Sequence, residues 1–390
     1  MKKRPHKAHC GARRAGVGLF ALAAFTMTGA CAPGGRDLNE ARYQPSDCQR
    51  IDLVSPSGDK IVGAEDLAVN RRDGVLYISA YDRRAVEKAI DKRAASLPDG
   101  GLYQVPLPAL RDATRRKPAT INVRRLIEPS TLRNGLRPHG ISYDEDAQSL
   151  AVINRGYEKA GKKWRMMPKI LRISTTANVE EITAKLEDSV EAAHCAANDL
   201  WTDESGLLST FDHAACDWRS GIEDVLGFQR SGVAYGDRIV FNRAGLANGI
   251  ARLKNGQTIV AATRQKALLF IRSGANRAVW RVKLPGGPDN LTMTPDGFLI
   301  AAVHPSLMRM GLHRKLDIGR APSRLIEVDP ETGAIELLFD DPKGAQFTAA
   351  TVGVEAGGLL IAGSVTDAGL LVCTTRDAPD GAGQALRDDG

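Results

Sequence analysis

Apolar positions along this chain fall in short runs rather than at helical spacing. "GVLYISAY", "GLYQVPL", "KILRIST", "DRIVFNR", "ALLFIRS", "SRLIEVD" and "GLLVCTT" are separated by Gly, Asp, Asn and Pro. Those are the residues that make turns, so the pattern predicts many short strands and an all-β fold. One stretch departs from it. "RRAVEKAIDKRAASL" (83–97) sets Val86, Ala89, Ile90 and Arg93 at helical spacing and predicts an inserted helix.

The strands repeat. Six segments share one layout: "AEDLAVNRRDGVLYISAY" from Ala64, "PHGISYDEDAQSLAVINR" from Pro138, "ANDLWTDESGLLSTFDH" from Ala197, "ANGIARLKNGQTIVAAT" from Ala247, "PDNLTMTPDGFLIAAVH" from Pro288 and "AATVGVEAGGLLIAGSV" from Ala349. Each opens on a small residue or proline and continues through two variable positions to an aliphatic residue, a turn and an apolar strand. Six strand–turn–strand units at irregular spacing predict a six-bladed β-propeller with a central tunnel and variable insertions.

In such a propeller the innermost strands surround the axis, and equivalent repeat positions converge. The first variable positions are Glu65, His139, Asn198, Asn248, Asp289 and Ala350. The second are Asp66, Gly140, Asp199, Gly249, Asn290 and Thr351. Carboxylates and amide carbonyls with few histidines and no thiolates suit a hard cation, and calcium takes six to eight oxygens. Glu65, Asn198, Asn248, Asp289 and Asn290 are therefore expected to hold calcium. His139, in "RPHGIS", is expected to face the same cavity, where it could act as a general base. His213 and His304 follow strands of the third and fifth copies and could line the wall. No Gly-x-Ser-x-Gly, phosphate loop or dinucleotide fingerprint occurs, so serine-hydrolase and nucleotide chemistry lack support.

Charge alters the picture only at the start of the chain. The 390 residues carry 53 Lys+Arg against 46 Asp+Glu. Lys2, Lys3, Arg4, Lys7, Arg13 and Arg14 precede the apolar run 15–25. Without them the body is nearly neutral, which leaves no electrostatic case for nucleic acid. Residues 1–31 read as an export signal, its apolar run too short for a membrane anchor. "TGAC" resembles a bacterial lipobox with Cys31 as the lipidated residue, a possible membrane tether. Residues 32–47 are then a linker, 48–376 the propeller and 377–390 a flexible tail. An exported, periplasmic or membrane-anchored bacterial protein can carry disulfides. A bond between Cys48 and Cys373 would join the two ends of the propeller; whether Cys195 and Cys216 pair stays open.

With these segments assembled, the chain resembles the paraoxonase/arylesterase family of calcium-dependent lactonases, related to the gluconolactonase-like superfamily. "GAEDLAV", "RPHGIS", "ANDL", "FNRAGLANGI", "PDNLTMTPDG" and "VHPS" carry the resemblance, in the family's order. It implies two calcium ions. Glu65, Asn198, Asn248, Asp289 and Asn290 would hold the catalytic one, and Asp66, Asp199 and the carbonyl of Ile141 a structural one. It further implies His139 as one half of a histidine dyad, His304 on the active-site wall, a Cys48–Cys373 disulfide and a small lactone or aryl ester as substrate. One position departs from the family. "AVINRG" puts Arg155 where the second dyad histidine stands, and arginine cannot relay a proton. Arg155 could instead bind an anionic substrate group. The helix at 83–97 and the segment "PSLMRMGLHRKLDIGRAP" (305–322) look like insertions at the cavity mouth that could form a lid. Two other readings are a sugar-lactone hydrolase of the gluconolactonase type, and a non-catalytic ligand-binding propeller with structural calcium.

Overall fold

The computed structural model describes residues 40–374 except 179, 180, 273 and 276. The expected signal with Cys31 and the tail at 377–390 lie outside the described residues. Strands dominate, and they form six sheets, as the repeats require. The innermost strands are Ala64–Asn70, Pro138–Asp144, Ala197–Asp203, Ala247–Arg252, Gly287–Met293 and Ala350–Ala356. They open blades 1 to 6, and each contacts the innermost strands of both neighbours, which closes the circle.

Closure uses both ends of the propeller. The outer part of blade 6 is Cys48–Val54, which pairs antiparallel with Leu370–Thr374 and sets Cys48 opposite Cys373. Thr120–Asn122 adds a further, parallel strand. A Cys48–Cys373 disulfide locks this seam. The seam fixes residues 325 apart in sequence, so in the chain-entropy view its restraint on the unfolded chain is large. The blades bury nearly continuous apolar runs. Leu67, Leu76 and Ile78 of blade 1 share a core cluster with Val352, Val354 and Ile361 of blade 6.

Helices occur only between or after strands. α1 spans Arg83–Asp91, α2 Leu107–Ala113, α3 Arg219–Leu226 and α4 Leu307–Leu316. Asp82 caps α1 by accepting from the backbone N–H of Ala85 at 2.9 Å. α1 is shorter than its sequence pattern. Arg93 takes a left-handed φ of 53° and closes the helix, so the apolar spacing beyond it serves packing of Leu97 against Val86 instead. Residues 305–322 contain α4, with Ser306 as its cap.

α1, α3 and α4 all lie between the second and third strands of their blades. A second strand runs antiparallel to the innermost one, so these connections sit at the end where the innermost strands begin. In blade 2 the same connection is a long hairpin, paired out to Ala160–Lys163. The variable insertions therefore crowd one face, the face that carries the candidate site.

Candidate functional site

Every innermost strand bulges at its start. The pairing register shifts between Ala64 and Asp66, Pro138 and Ile141, Ala197 and Leu200, Ala247 and Ile250, Pro288 and Leu291, and Ala350 and Val352. The residues caught in the bulges are Glu65, His139–Gly140, Asn198–Asp199, Asn248–Gly249, Asp289–Asn290 and Thr351. A bulge leaves residues unpaired and re-aims their side chains. Repeated six times, it gathers the predicted polar positions around one axis. Thr351 and not Ala350 is the sixth member, since Ala350 still pairs with Ser364.

The second bulge positions are crowded. A Cβ on Gly140 would lie 2.5 Å from Asp199 Cα, and one on Gly249 would lie 2.5 Å from the backbone nitrogen of Leu291. Only glycine fits at either place, and Asp66, Asp199, Asn290 and Thr351 occupy the space between.

Two layers result. In the first, Glu65 and His139 are buried, with Glu65 Oε2 paired to His139 Nδ1 and Oε1 lying 3.9 Å from Arg83. Burial alone would raise Glu65, but His139 and Arg83 hold it down to about 2. His139 is lowered to about 4 by burial and by the charge of Arg155, so its ring is neutral at ordinary pH. Its Nε2 is buried without a hydrogen-bond partner. Across the ring, Asp289 Oδ2 lies 2.6 Å from His304 Nε2, while Oδ1 accepts from the amide of Asn248. His304 is thus a buried partner of a ring carboxylate. The Asn248 carbonyl oxygen is buried and unpartnered.

The second layer holds Asp66 and Asp199. Asp66 accepts from the backbone N–H groups of Leu67 and Ile141, at 2.9 and 2.7 Å. Asp199 accepts from those of Leu200 and Ile250, at 2.7 and 3.0 Å. Both approach the 140–141 segment, for the atom a Gly140 Cβ would meet is Asp199 Oδ1 at 2.7 Å. Among the described residues no cationic side chain pairs with either. Burial pushes both carboxyls well above the usual range, and for Asp66 the neighbouring charge of Asp199 adds to it.

This donor set fits a hard cation. It offers carboxylates short of positive charge, an orphaned amide oxygen and no sulfur. Among the described residues, histidine and thiolate coordination finds no comparable place. His194, Cys195 and Cys216 cluster within 4.8 Å, but the two sulfurs form a disulfide.

A cavity of about 290 Å³ opens beside the ring, between blades 1, 2 and 3. Arg83, Arg155, Tyr157, Arg165, Asp212 and His213 are among its walls. Arg83 touches the ring at Glu65, and Asp212 touches it at Asn198, whose amide donates to Oδ2 at 3.2 Å. His213 is clamped between Asp212 Oδ1 and Asp224 Oδ1, each at 2.7 Å. Burial opposes its protonation, but the two carboxylates raise it to about 9. Asp212 is held near 2 against its own burial, chiefly by that histidine. Cys195 and Cys216 also line the cavity, and their bond pins its rim.

α1 and α4 meet at this face. Arg84 reaches Asp317 at 2.7 Å, and Arg314 reaches Glu87 at 2.7 Å. Sequence reasoning missed Arg83, Arg165, Asp212 and Asp224. A signal existed for Asp212. Tyr81, Arg155, Asp212, Thr263, His304 and Val365 occupy one register position, just past the partner of the residue that precedes each bulge. That position forms a second circle outside the first.

No family model matches the chain, and no curated protein matches it significantly. Solved structures do. A gluconolactonase from Xanthomonas campestris is 14% identical, covering 87% of this chain and 99% of its own, with a TM-score of 0.45. The PQQ-bound aldose sugar dehydrogenase of Streptomyces coelicolor is 12% identical, covering 83% and 97%, at 0.47. A nidogen/laminin complex is 12% identical, covering 74% and 82%, at 0.41. At these identities function must be argued from the site.

Proposed function

We propose that this protein is a calcium-dependent hydrolase of lactones or aryl esters, acting in an oxidising compartment such as the periplasm. The observation that carries this reading is the ring of six bulges, with the Asp66–Asp199 pair beneath it lacking any cationic partner. Glu65, Asn198, Asn248, Asp289 and Asn290 would hold one calcium, and Asp66, Asp199 and the Ile141 carbonyl a second. Calcium at the upper site would polarise the substrate carbonyl and stabilise the developing oxyanion.

The chain's own residues supply the rest. Glu65 Oε2 lies against His139 Nδ1, and a proton held on Nδ1 would leave the buried Nε2 as the acceptor for a proton from water. The ring is neutral at working pH, as a base must be. His304 fixes the orientation of Asp289, and Asp212 does the same for Asn198. Arg155 takes no part in proton transfer. It packs against the Ala197 carbonyl at 3.3 Å and lies 3.7 Å from Asp212. The two disulfides fit an oxidising compartment, and lipidation at Cys31 belongs to the same reading.

The test is hydrolysis of a lactone and aryl-ester panel, as purified, after calcium chelation and after calcium is restored. Activity should vanish and return. His139→Gln should lower kcat about 100-fold or more with bound calcium unchanged; unchanged turnover would remove the base from the mechanism. A second reading, a non-catalytic propeller with structural calcium, is favoured by one observation. The upper carboxylates already have His139, Arg83 and His304 as partners. Folded, calcium-loaded protein that hydrolyses nothing would select it. One bound calcium instead of two would favour a gluconolactonase-type site.

A further inference from the structure

The wall of the cavity beside the ring is charged in an unbalanced way. Its carboxylates are engaged. Glu87 binds Arg314 at 2.7 Å, Asp212 binds His213 at 2.7 Å, and Asp217 binds Arg219 at 2.9 Å. Of its cations, Arg83 pairs with Glu65 and Glu87, and His213 with Asp212 and Asp224, but Arg155 and Arg165 are not fully engaged. Arg155 is only 4% exposed, yet its Nε has no hydrogen-bond partner, and its contacts to Ala197 and Asp212 are long. A guanidinium has five N–H donors, and leaving one buried and unpaired is costly unless something else receives it. Arg165 stands on the same wall, exposed on the blade 2 hairpin, and among the described residues no carboxylate pairs with it. His213, clamped between its two carboxylates, adds charge to this wall up to about pH 9.

We propose that the site takes an anionic substrate, an ester or lactone that carries a carboxylate or phosphate away from its carbonyl, and that Arg155 and Arg165 receive this group. This rests on the hydrolase reading for its chemistry but not for its binding. The two arginines come from opposite strands of one hairpin, with Arg155 paired to Pro168 and Glu158 to Arg165. Both line the same cavity of about 290 Å³. Two guanidinium groups make charge-assisted contacts that a neutral analogue cannot replace. An acidic group bound there would sit beside the ring and leave the carbonyl to face Glu65 and His139.

The experiment uses matched pairs on the mature chain loaded with calcium. Hydrolysis of 4-nitrophenyl hemisuccinate is compared with that of 4-nitrophenyl butyrate, and glucono-δ-lactone with its 6-phosphate. The charged member of at least one pair should show a kcat/KM about tenfold higher or more, the pair identifying carboxylate or phosphate. Arg165→Met should lower that ratio about tenfold, Arg165→Lys less, and raised salt should erode it. A ratio near one, or one that Arg165→Met leaves unchanged, overturns the proposal.

Binding is measured separately by calorimetry with N-methylsuccinamate against N-methylbutanamide, and with glucose 6-phosphate against glucose. None of these can be turned over as an ester. Charged ligands that bind tenfold tighter, in a protein that hydrolyses neither ester nor lactone, would retain the anion site and discard the hydrolase. Equal binding within both pairs would discard the anion site whatever the hydrolysis result. Arg155→Met is the more severe variant, and Arg165→Met, at an exposed position, keeps the test valid if Arg155→Met does not fold.

Discussion

Two carboxylate layers share one tunnel and are treated in opposite ways. Glu65, in the upper layer, is buried but held near 2 by His139 and Arg83. Asp289 lies against His304 and Asn248. Asp66 and Asp199, just below, are equally buried and receive only backbone N–H groups. Their carboxyls are pushed up by burial, where that of Glu65 above is pulled down by its partners. A lone buried carboxylate must recruit a proton or a cation. The comparison therefore assigns different work to each layer. The upper one keeps its charge with the protein's own groups, so a bound ion there can exchange ligands with substrate. The lower one needs a proton or a cation to satisfy it, and the calcium reading assigns it a cation.

The largest expected effect follows from that dependence. Calcium at about 1,000 times its dissociation constant stabilises a fold by about 4 kcal/mol. In a propeller of this size that corresponds to a melting temperature on the order of 10 °C higher. Scanning calorimetry with and without chelator should show this loss. The double variant Asp66→Asn, Asp199→Asn should bind one calcium fewer and lose most of its chelator sensitivity. Wild-type protein that melts alike in both conditions would mean the lower pair shares a proton instead.

A third cluster, on the cavity wall, extends the upper layer's pattern and sets a pH signature. His213 is raised from 6.5 to about 9, so its contribution is fully present below about 6.5 and lost as pH rises through about 9. Asp212 is lowered from 3.8 to about 2, so its contribution is present above about 4 and lost as pH falls through about 2. The cluster is thus strongest from about pH 4 to 6.5. The shift of His213 is worth at most about 3 kcal/mol. The stability gap between wild type and His213→Gln should be widest near pH 6 and narrow above pH 9. A gap that does not change with pH would mean that His213 is held by packing, not by charge.

The ring was legible in the sequence because it obeys a repeat. Alternating short strands gave six copies, and equivalent positions in a propeller must converge, so Glu65, His139, Asn198, Asn248, Asp289 and Asn290 could be aligned before any coordinates. The bulges were not legible. Pairing register depends on the facing strand, and so Ala350 stood where Thr351 belongs. The length of α1 was overread, because apolar spacing cannot distinguish a helical turn from the packing of Leu97 beneath it. The cavity wall was harder still. Arg83, Arg165 and Asp224 sit on insertions that differ from blade to blade, so no repeat aligns them. Whether Cys195 and Cys216 bond depended on the path of those insertions.

The smallest effect tests whether the layers are as distinct as their partners suggest. His304 touches Asp289 and lies two blades from each member of the lower pair, at 4% exposure. His304→Leu keeps roughly the same volume and strips one oxygen of Asp289 of its partner. An unsatisfied buried group of this kind costs about 2 kcal/mol. If Asp289 ligates calcium, the ion takes the place of the missing partner. The variant should then lose about 2 kcal/mol in chelator and less than half of that when loaded, measured by denaturant unfolding in each state. Equal losses in both states would take Asp289 out of the ligand set and leave His304 and Asp289 as a structural pair. The upper ion would then rest on Glu65 and the asparagines alone. A loss confined to the chelated state would show that in the upper layer the protein's own side chains and the bound ion serve the same carboxylate in turn.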